Sequence, residues 1–596
     1  MDPNFFSQNL QLTKQCHPDL WTEIQQLKQN EEASLPPEEQ EVAMKAQLSS
    51  IWAHSRLLIF FGFGRGNAIK EALFQLKRKS DLEILVIEKS LVTFHAAMKL
   101  QELSEILKNP RLTLWVGQKE DEIRKKLRSF FLSKGRGAYV NAIQVVAHPT
   151  SAREYEAYFR QIENWSNQFL LQASTSFGNS CEDAFLGEKN ALFNSQVILE
   201  SPRLSAIKDQ FKNIPALLIA SGPSLEKEFE TLKELQTKAL LICADSALKP
   251  LLDHGIKPHI VTAIERIPLV AEFFKSCSQK DLHEVNLASV PILNPEVYQI
   301  YSGPRFNCFR DYSYFQIFNI PSKETYTIGP SCAHLSFLIA KEAGCNPLIF
   351  VGQDLAYSPK DNRSHLAGTA IRERDKTHRA EDLLKDSKYS YVKASDGQDV
   401  LTEQNLNLFR QWFEKEIGEC QNRQIINTSA SGAKIEGAEL QNLEEVAQQR
   451  LTKEYQILDR LEDRFSSQKQ MTLSFLDFGK HLKSKSDWLK QLIQENMELI
   501  ERLQNCSKEE LSKQTKGASL RIQKLANEDS EFRALLMTIL TPYLYQAEIQ
   551  KNIQACELGP GKKYELFLQK QLVHNYEEIN KWAGKLVQLI QEIDAK

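Results

Sequence analysis

The sequence predicts an α/β protein with a mostly parallel central sheet, because short apolar runs alternate with amphipathic runs and each apolar run ends in a polar turn. Ala216–Ala220 stops at Ser221-Gly222-Pro223-Ser224, and an acidic amphipathic run follows from Leu225 to Leu235. Ala239–Ala244 and His259–Ile264 repeat the pattern and end at Asp245-Ser246 and at Glu265. Strands of one parallel sheet place their carboxyl ends on a common edge, so Ser221, Asp245 and Glu265 are expected to converge there, as the wall of a ligand crevice does. A strand–turn–helix corner also turns backbone N–H groups and a helix N-terminus toward that edge, which favours an anion. Taken alone, the Gly222-Pro223-Ser224 corner reads equally well as ordinary turn chemistry. Ser224 is the expected N-cap, with Glu228 in the first turns.

Residues 1–50 are polar and rich in Gln and Glu, with helices expected at Leu20–Gln29 and Glu38–Leu48 around Pro36-Pro37. Next come a strand ending at Phe61, a Gly62-x-Gly64-x-Gly66 turn, a helix through Leu76, a strand Leu82–Ile87 ending at Glu88, and a strand Leu112–Val116. This is the form of a nucleotide-binding half, in which glycines let the backbone approach a ligand and the acid holds a ribose. The third glycine comes two residues after the second instead of three, and Arg65 sits inside the turn. Gly62, Gly64, Gly66 and Glu88 therefore read either as a second ligand site or as a retained scaffold. Tyr155, Tyr158, Phe159, Ile162, Trp165 and Phe169 recur at helical spacing and read as core.

After the central module, Tyr326-Thr-Ile-Gly-Pro-Ser-Cys-Ala-His334 opens a helix to Ala343, and strand Leu348–Val351 ends in Gly352-Gln-Asp-Leu-Ala-Tyr357. The charged stretch from Pro359 to Lys393, which contains His365, reads as a mobile lid or as a solvated insertion. Beyond Glu439 only two prolines occur, and Leu489, Leu492, Ile493, Met497, Ile500 and Leu503 keep helical spacing. The expected architecture is thus a small Rossmann-like α/β domain with its helices (1–200), a larger Rossmann-like α/β domain (201–438) and an all-α domain (439–596).

With 596 residues the chain is too long for one core, and 42% hydrophobic with 25% charged residues is ordinary globular composition. A net charge of −3 gives no basic footprint, which argues against nucleic acid as partner. The ten cysteines are scattered without a C-x-x-C pair and read as reduced structural thiols. The amino terminus lacks a basic region with an apolar core, and no apolar run approaches the ~20 residues of a membrane span. A cytoplasmic protein is expected.

Ser221-Gly-Pro-Ser-Leu225, Cys243-Ala-Asp-Ser-Ala247, the Gly255-Ile-Lys-Pro258 turn, Gly344-Cys-Asn-Pro347 and Gly352-Gln-Asp-Leu-Ala-Tyr357 together resemble the motility-associated factor (Maf) flagellin glycosyltransferases. Asp396-Gly-Gln-Asp-Val-Leu-Thr402, Trp412-Phe413-Glu414, Asn427-Thr428 and Gly432-Ala-Lys-Ile-Glu-Gly437 extend that resemblance. It implies transfer of a nonulosonic acid, pseudaminic or legionaminic in type, from a CMP-activated donor to Ser or Thr of flagellin. The central module also resembles bacterial sialyltransferases of glycosyltransferase family 42. That likeness implies a nucleotide cradle of Ser221, Gly222, Pro223, Ser224, Asp245, Ser246, Glu265, Thr327, Gly329, Ser331 and Gln353, with Asp354 as the acid after the later strand. Ser221 and Asp245 each stand where those enzymes have Asn, and Tyr357 is offset by one from their leaving-group tyrosine.

Such a transfer needs a base for the acceptor hydroxyl and stabilisation of the departing phosphate. His365 is the candidate base or a structural loop histidine. Tyr357, with Arg363 or Lys360, is the candidate donor to the phosphate. No Asp-x-Asp pair occurs, so no metal ligands are assigned and no cofactor beyond the CMP-sugar is expected. The same module resembles 6-hydroxymethylpterin diphosphokinases, for which magnesium and ATP remain allowed, with Asp245, Glu265 and Asp354 as ligands. A non-catalytic flagellin-binding protein is the remaining alternative.

Overall fold

The computed structural model describes residues 3–27, 38–49, 55–76, 82–132, 136–139, 142–175, 180–366, 383–384, 386, 388–420, 422–468, 473–507, 509–558 and 562–594. The chain forms two compact units, one of residues 1–181, 494–524 and 540–581, the other of residues 182–493, 525–539 and 582–596. Both are built on parallel sheets.

In the first unit, β1 (Leu57–Phe61), β2 (Glu83–Glu88), β3 (Leu112–Val116) and β4 (Ile143–Ala147) form a parallel sheet in the order β3-β2-β1-β4. Five consecutive buried residues in β1 show that both faces are covered. Alternate side chains go to opposite sides: Leu58 and Phe60 join one core cluster, and Leu57, Ile59 and Phe61 join another. The second cluster includes Tyr158, Phe159, Ile162 and Phe169 of the helix Glu156–Thr175, with Tyr155 and Trp165 packed at its edge. The expected aromatic run is core.

The second unit holds β5 (Ala216–Ile219), β6 (Leu240–Ala244), β7 (Ile260–Ala263), β8 (Asn286–Ser289), β9 (Arg305–Asn307), the short β10 (Phe309–Arg310) and β11 (Thr325–Tyr326), and β12 (Leu348–Val351). Beyond them lie β13 (Tyr389–Lys393), β14 (Asp399–Glu403), β15 (Ile425–Asn427) and β16 (Glu439–Leu440). Eight strands run parallel in the order β16-β15-β12-β5-β6-β7-β8-β9. Leu217 and Ile219 of β5, Leu241 and Cys243 of β6, Val261 and Ala263 of β7, and Ile349 and Val351 of β12 bury one face in a single cluster. Each fully buried Leu, Ile or Val contributes roughly 1.5–3 kcal/mol, which outweighs the weak β-propensity of so short a strand.

Two asparagines four residues apart, Asn190 in the helix Cys181–Phe193 and Asn194 at the cap of the next helix Ser195–Glu200, attach this segment to loops of the sheet. Asn190 donates to the Arg266 and Ile292 carbonyls, and Asn194 to those of Pro291 and Leu293. That grip holds the loops after β7 and β8, which border the sheet's carboxyl edge.

Two expectations are corrected. The run after β5 is not one helix with Ser224 as N-cap: Gly222 takes that place, Pro223 is first in a 3-10 turn Pro223–Lys227, and a short helix Phe229–Glu234 follows. The Ser224 N–H, which has no acceptor within the first turn of a helix, is bound by Asp354, 130 residues away in sequence. The stretch Pro359–Lys393 is not all loop either: its last five residues form β13, paired antiparallel with β14. Residues 367–382, 385 and 387 of that stretch lie outside the described residues. Beyond 440 the described elements are helices, among them Phe475–Asn505, Leu511–Glu528, Thr538–Leu558 and Lys562–Asp594. Among the described residues, no helix is long and apolar enough to cross a membrane.

Candidate functional site

The carboxyl ends of β5, β6, β7 and β12 surround a pocket of about 220 Å³ whose lining includes Ser221, Gly222, Asp245, Ser246, Glu265, Ser331, Cys332, Gln353, Asp354 and His365. The strands deliver these residues because β5, β6 and β7 are consecutive neighbours in register, so the residue after each one reaches the same edge.

The polar floor is made by two hydroxyls. Ser221 Oγ and Ser246 Oγ lie 2.7 Å apart, and both residues are buried. Asp245 opens the helix Asp245–Asp253; its Oδ1 accepts the Ser246 N–H at 2.7 Å and its Oδ2 accepts the Cys332 thiol at 3.3 Å. Burial pushes the Asp245 carboxyl up to about 7, those two bonds oppose the rise, and the Glu265 charge adds to it. Glu265 stays exposed at the rim, where partial desolvation raises its carboxyl against the pull of Arg266 and Arg310.

One wall is a clamp centred on Asp354. Its Oδ2 accepts the Ser224 N–H at 2.8 Å, its Oδ1 accepts the Ser429 hydroxyl, and its carbonyl accepts the Ala433 N–H at 2.8 Å. Loops after β5, β12 and β15 are thereby tied together. The approach is close enough that a Cβ on Gly222 would fall 2.4 Å from the Gly352 carbonyl oxygen and 2.5 Å from Asp354 Oδ2. Gly222 is thus required by contact and not by its φ of −69°.

The opposite wall is the start of the helix Cys332–Ala343. Ser331 Oγ accepts the Ala333 N–H, and His334 Nδ1 accepts the Ser331 N–H at 3.1 Å. With Nδ1 accepting, the His334 proton sits on Nε2 and points to the Phe409 carbonyl at 3.2 Å. Burial drives this imidazole down to about 3, so it is neutral and structural. Gly329 leaves room for it, since a Cβ there would meet His334 Nδ1 at 2.4 Å.

His365 lines the pocket, with Nδ1 2.8 Å from Ser364 Oγ, and the next residue, Leu366, donates its N–H to the Ser221 carbonyl at 2.7 Å. The β5 corner and the His365 segment are therefore directly joined. Pro223 and Ser224 are half-buried, Thr327 is exposed and Gly329 is buried, and none of the four is a lining residue. Tyr357 is not brought to the pocket: its hydroxyl donates to Glu403 at 3.1 Å. Arg363 pairs with Glu226 at 3.1 Å and with Asp361. Among the described residues, no group of three or more His, Cys, Asp and Glu side chains is placed to hold a metal ion.

The glycine-rich corner of the first unit is different. Glu88 is buried, with Oε2 accepting the Phe63 N–H at 2.8 Å and Oε1 the Ser90 N–H at 2.7 Å. Burial raises it to about 7. A Cβ on Gly62, where φ is +93°, would lie 2.6 Å from Ser151 Oγ, and one on Gly66 would lie 3.0 Å from the Phe63 ring. Glycine is needed there for packing within the unit, and the acid holds backbone where a ribose was envisaged.

Sequence reasoning passed over Cys332, Ser429 and Ser364. Cys332 looked like one more structural thiol, although its position directly after the N-cap Ser331 was a usable signal; Ser429 carried none beyond following a strand end.

The chain matches, over its full length and 98% of the other's, the structure of the MAf glycosyltransferase from Magnetospirillum magneticum AMB-1, with a TM-score of 0.64 at 12% identity. The chain has the fold of that protein. Residues 189–360, the part of the Maf-type fold that carries β5 to β12 and most of the pocket, match the family model described as 6-hydroxymethylpterin diphosphokinase MptE-like. No curated protein sequence matches the chain significantly.

Proposed function

We propose that the protein is a cytoplasmic glycosyltransferase that moves a nonulosonic acid, pseudaminic or legionaminic in type, from a CMP-activated donor to serine or threonine hydroxyls of flagellin. One observation carries the reading: a hydroxyl pair, two carboxyl groups of raised pKa and the N-termini of the helices Asp245–Asp253 and Cys332–Ala343 meet in one pocket at the carboxyl edge of a parallel sheet. The Maf-type fold of the whole chain supports it.

In this mechanism the N-terminus of the helix Cys332–Ala343 receives the phosphate, where the fixed N–H dipoles favour the charge that develops as CMP leaves. Asp245 and Glu265 would repel that phosphate and instead accept from ribose hydroxyls or the cytosine amino group. His365 takes the proton of the acceptor hydroxyl as the acceptor oxygen bonds to the anomeric carbon and the bond from that carbon to the phosphate oxygen breaks. The leaving group departs as CMP without a metal step.

A second reading, an ATP- and magnesium-dependent pyrophosphokinase, is favoured by the MptE-like match of residues 189–360. It asks Asp245, Glu265 and Asp354 to share a metal, whereas Asp354 already serves Ser224 and Ser429. Calorimetry separates the two: CMP binding without magnesium is expected, and tight Mg-ATP binding with no CMP binding would sink the transferase. Flagellin from a deletion strain should be lighter by the mass of the missing sugars; unchanged mass would leave a flagellin-binding protein instead.

A further inference from the structure

His365 reaches the pocket from the segment 358–366, which lies between the loop after β12 and the β5 corner. Both ends of that segment are fixed. Just before it the Tyr357 N–H donates to the Leu401 carbonyl at 2.7 Å, and at its far end Leu366 is buried in the main core cluster of the second unit with its N–H on the Ser221 carbonyl at 2.7 Å. The first part, 358–363, closes on itself: the Ser358 N–H donates to the Arg363 carbonyl at 2.7 Å and the Asn362 N–H to the Ser358 carbonyl at 2.9 Å. The placement of so closed a turn depends on what its side chains grip.

Arg363 supplies a grip on the β5 corner. Its Nη1 donates to Glu226 Oε1 at 3.1 Å, and its Nε faces the Asp361 carboxylate of the same turn. Glu226 belongs to the 3-10 turn Pro223–Lys227, whose Ser224 N–H is held by Asp354. The guanidinium is therefore engaged by two carboxylates, and Arg363 is not a lining residue of the pocket, so it is not placed to meet the departing phosphate. Its side chain is 15% exposed and that of Glu226 45%, which leaves the pair sensitive to salt. Leu366 fixes where the segment ends, and Arg363, two residues before His365, fixes the direction from which the chain arrives. Held on either side, the imidazole between them is aimed.

We propose that Arg363 is a positioning residue that, through its ion pair with Glu226, holds His365 toward the pocket. This deepens the glycosyltransferase reading and rests on it, because His365 acts there as the base for the acceptor hydroxyl. Loss of the pair widens the range of positions the imidazole samples, and proton transfer requires the base within hydrogen-bond reach of the hydroxyl. Nucleotide binding, which uses the strand ends, is left in place.

The test uses Arg363→Gln, Glu226→Gln and the double variant in the full-length protein. Each is expected to speed amide hydrogen exchange of the segment 358–366 about three- to fivefold while changing CMP affinity by calorimetry less than about twofold. The double variant should match either single one, since all three lack the same pair. Sodium chloride at about 1 M should speed exchange of the wild-type segment and leave the variants unchanged. In the deletion strain, complementation with each variant should return less sugar mass to flagellin than the wild-type gene does, and Arg363→Lys, which keeps the charge, should return more than Arg363→Gln. Retained CMP binding shows that each variant is folded. Weakened CMP binding in Arg363→Gln but not in Glu226→Gln would make Arg363 a phosphate donor and overturn the inference. Unchanged exchange overturns it, and so does faster exchange with full sugar mass on flagellin; both leave the transferase standing. Flagellin of unchanged mass in the deletion strain itself overturns both.

Discussion

Two corners of this molecule have the same local recipe and opposite outcomes. After β1 and after β5 an apolar strand runs into a glycine-bearing turn, and the neighbouring strand ends in or just before an acid, Glu88 in one case and Asp245 in the other. At the first corner the protein fills its own turn, with Ser151 and His148 against Gly62 and both Glu88 oxygens on backbone N–H groups. At the second, the acid and two hydroxyls border a cavity. A motif that lets the backbone approach closely does not specify what approaches: another part of the chain packs on the glycine in both corners, but only beside the second does a cavity remain.

Substitutions can break that contrast. The largest effect is expected from Gly62→Ala, which combines an unfavourable φ of +93° with a contact at 2.6 Å to Ser151 Oγ. Strain and overpacking together should remove about 2–5 kcal/mol of stability, read as a lower denaturant midpoint, with CMP affinity unchanged in the folded fraction. Gly222→Ala meets the Gly352 carbonyl and Asp354 without φ strain. It should cost about 1–3 kcal/mol and, unlike the first, abolish detectable CMP binding by calorimetry. If Gly62→Ala also abolished CMP binding in the folded fraction, the first corner would be a ligand site after all.

The two acids give a pH test. Glu88 and Asp245 both have folded values near 7, raised from ordinary values of 4.5 and 3.8. Above those ordinary values the unfolded chain has released its protons while the folded one still holds them, so stability is greatest on the acid side and falls as pH rises to about 7. Glu88→Gln should flatten part of that decline and leave CMP affinity intact. Asp245→Asn should flatten another part and weaken CMP. The smallest effect belongs to Ser246→Ala, which removes one hydroxyl contact to Ser221 and should cost about 0.5–1.5 kcal/mol; a chemical-denaturation curve indistinguishable from wild type would show that the pair contributes nothing.

Much of the fold was legible before the structure. The strand Leu348–Val351 is found with the expected ends, and β1, β2, β5, β6 and β7 within a residue or two, because a strand buried on both faces must be a near-continuous apolar run. Less legible was the start of the element after β5, where a tertiary bond from Asp354 overrode local capping chemistry. His334 and Ser331 form a capping box that uses histidine at a position usually held by Glu or Gln, so the usual sequence signature is absent. The hairpin β13–β14 lay in a charged stretch without clear alternation.

By itself the sequence determined the class of the protein, since the period of apolar residues dictates strand and helix and the strand ends dictate one polar edge. It also placed Ser221, Asp245, Ser246 and Glu265 on that edge. Only the tertiary structure decided which polar groups remain available there. Tyr357 is turned to Glu403, Asp354 is held by Ser224 and Ser429, and Glu88 is folded onto backbone N–H groups of its own unit. The reason is physical: a residue's chemistry is local, whereas its hydrogen-bond partners come from other segments, 25 residues away for Glu88 and Phe63 and 130 for Asp354 and Ser224, and the chain order of apolar and polar residues does not encode which of them will meet.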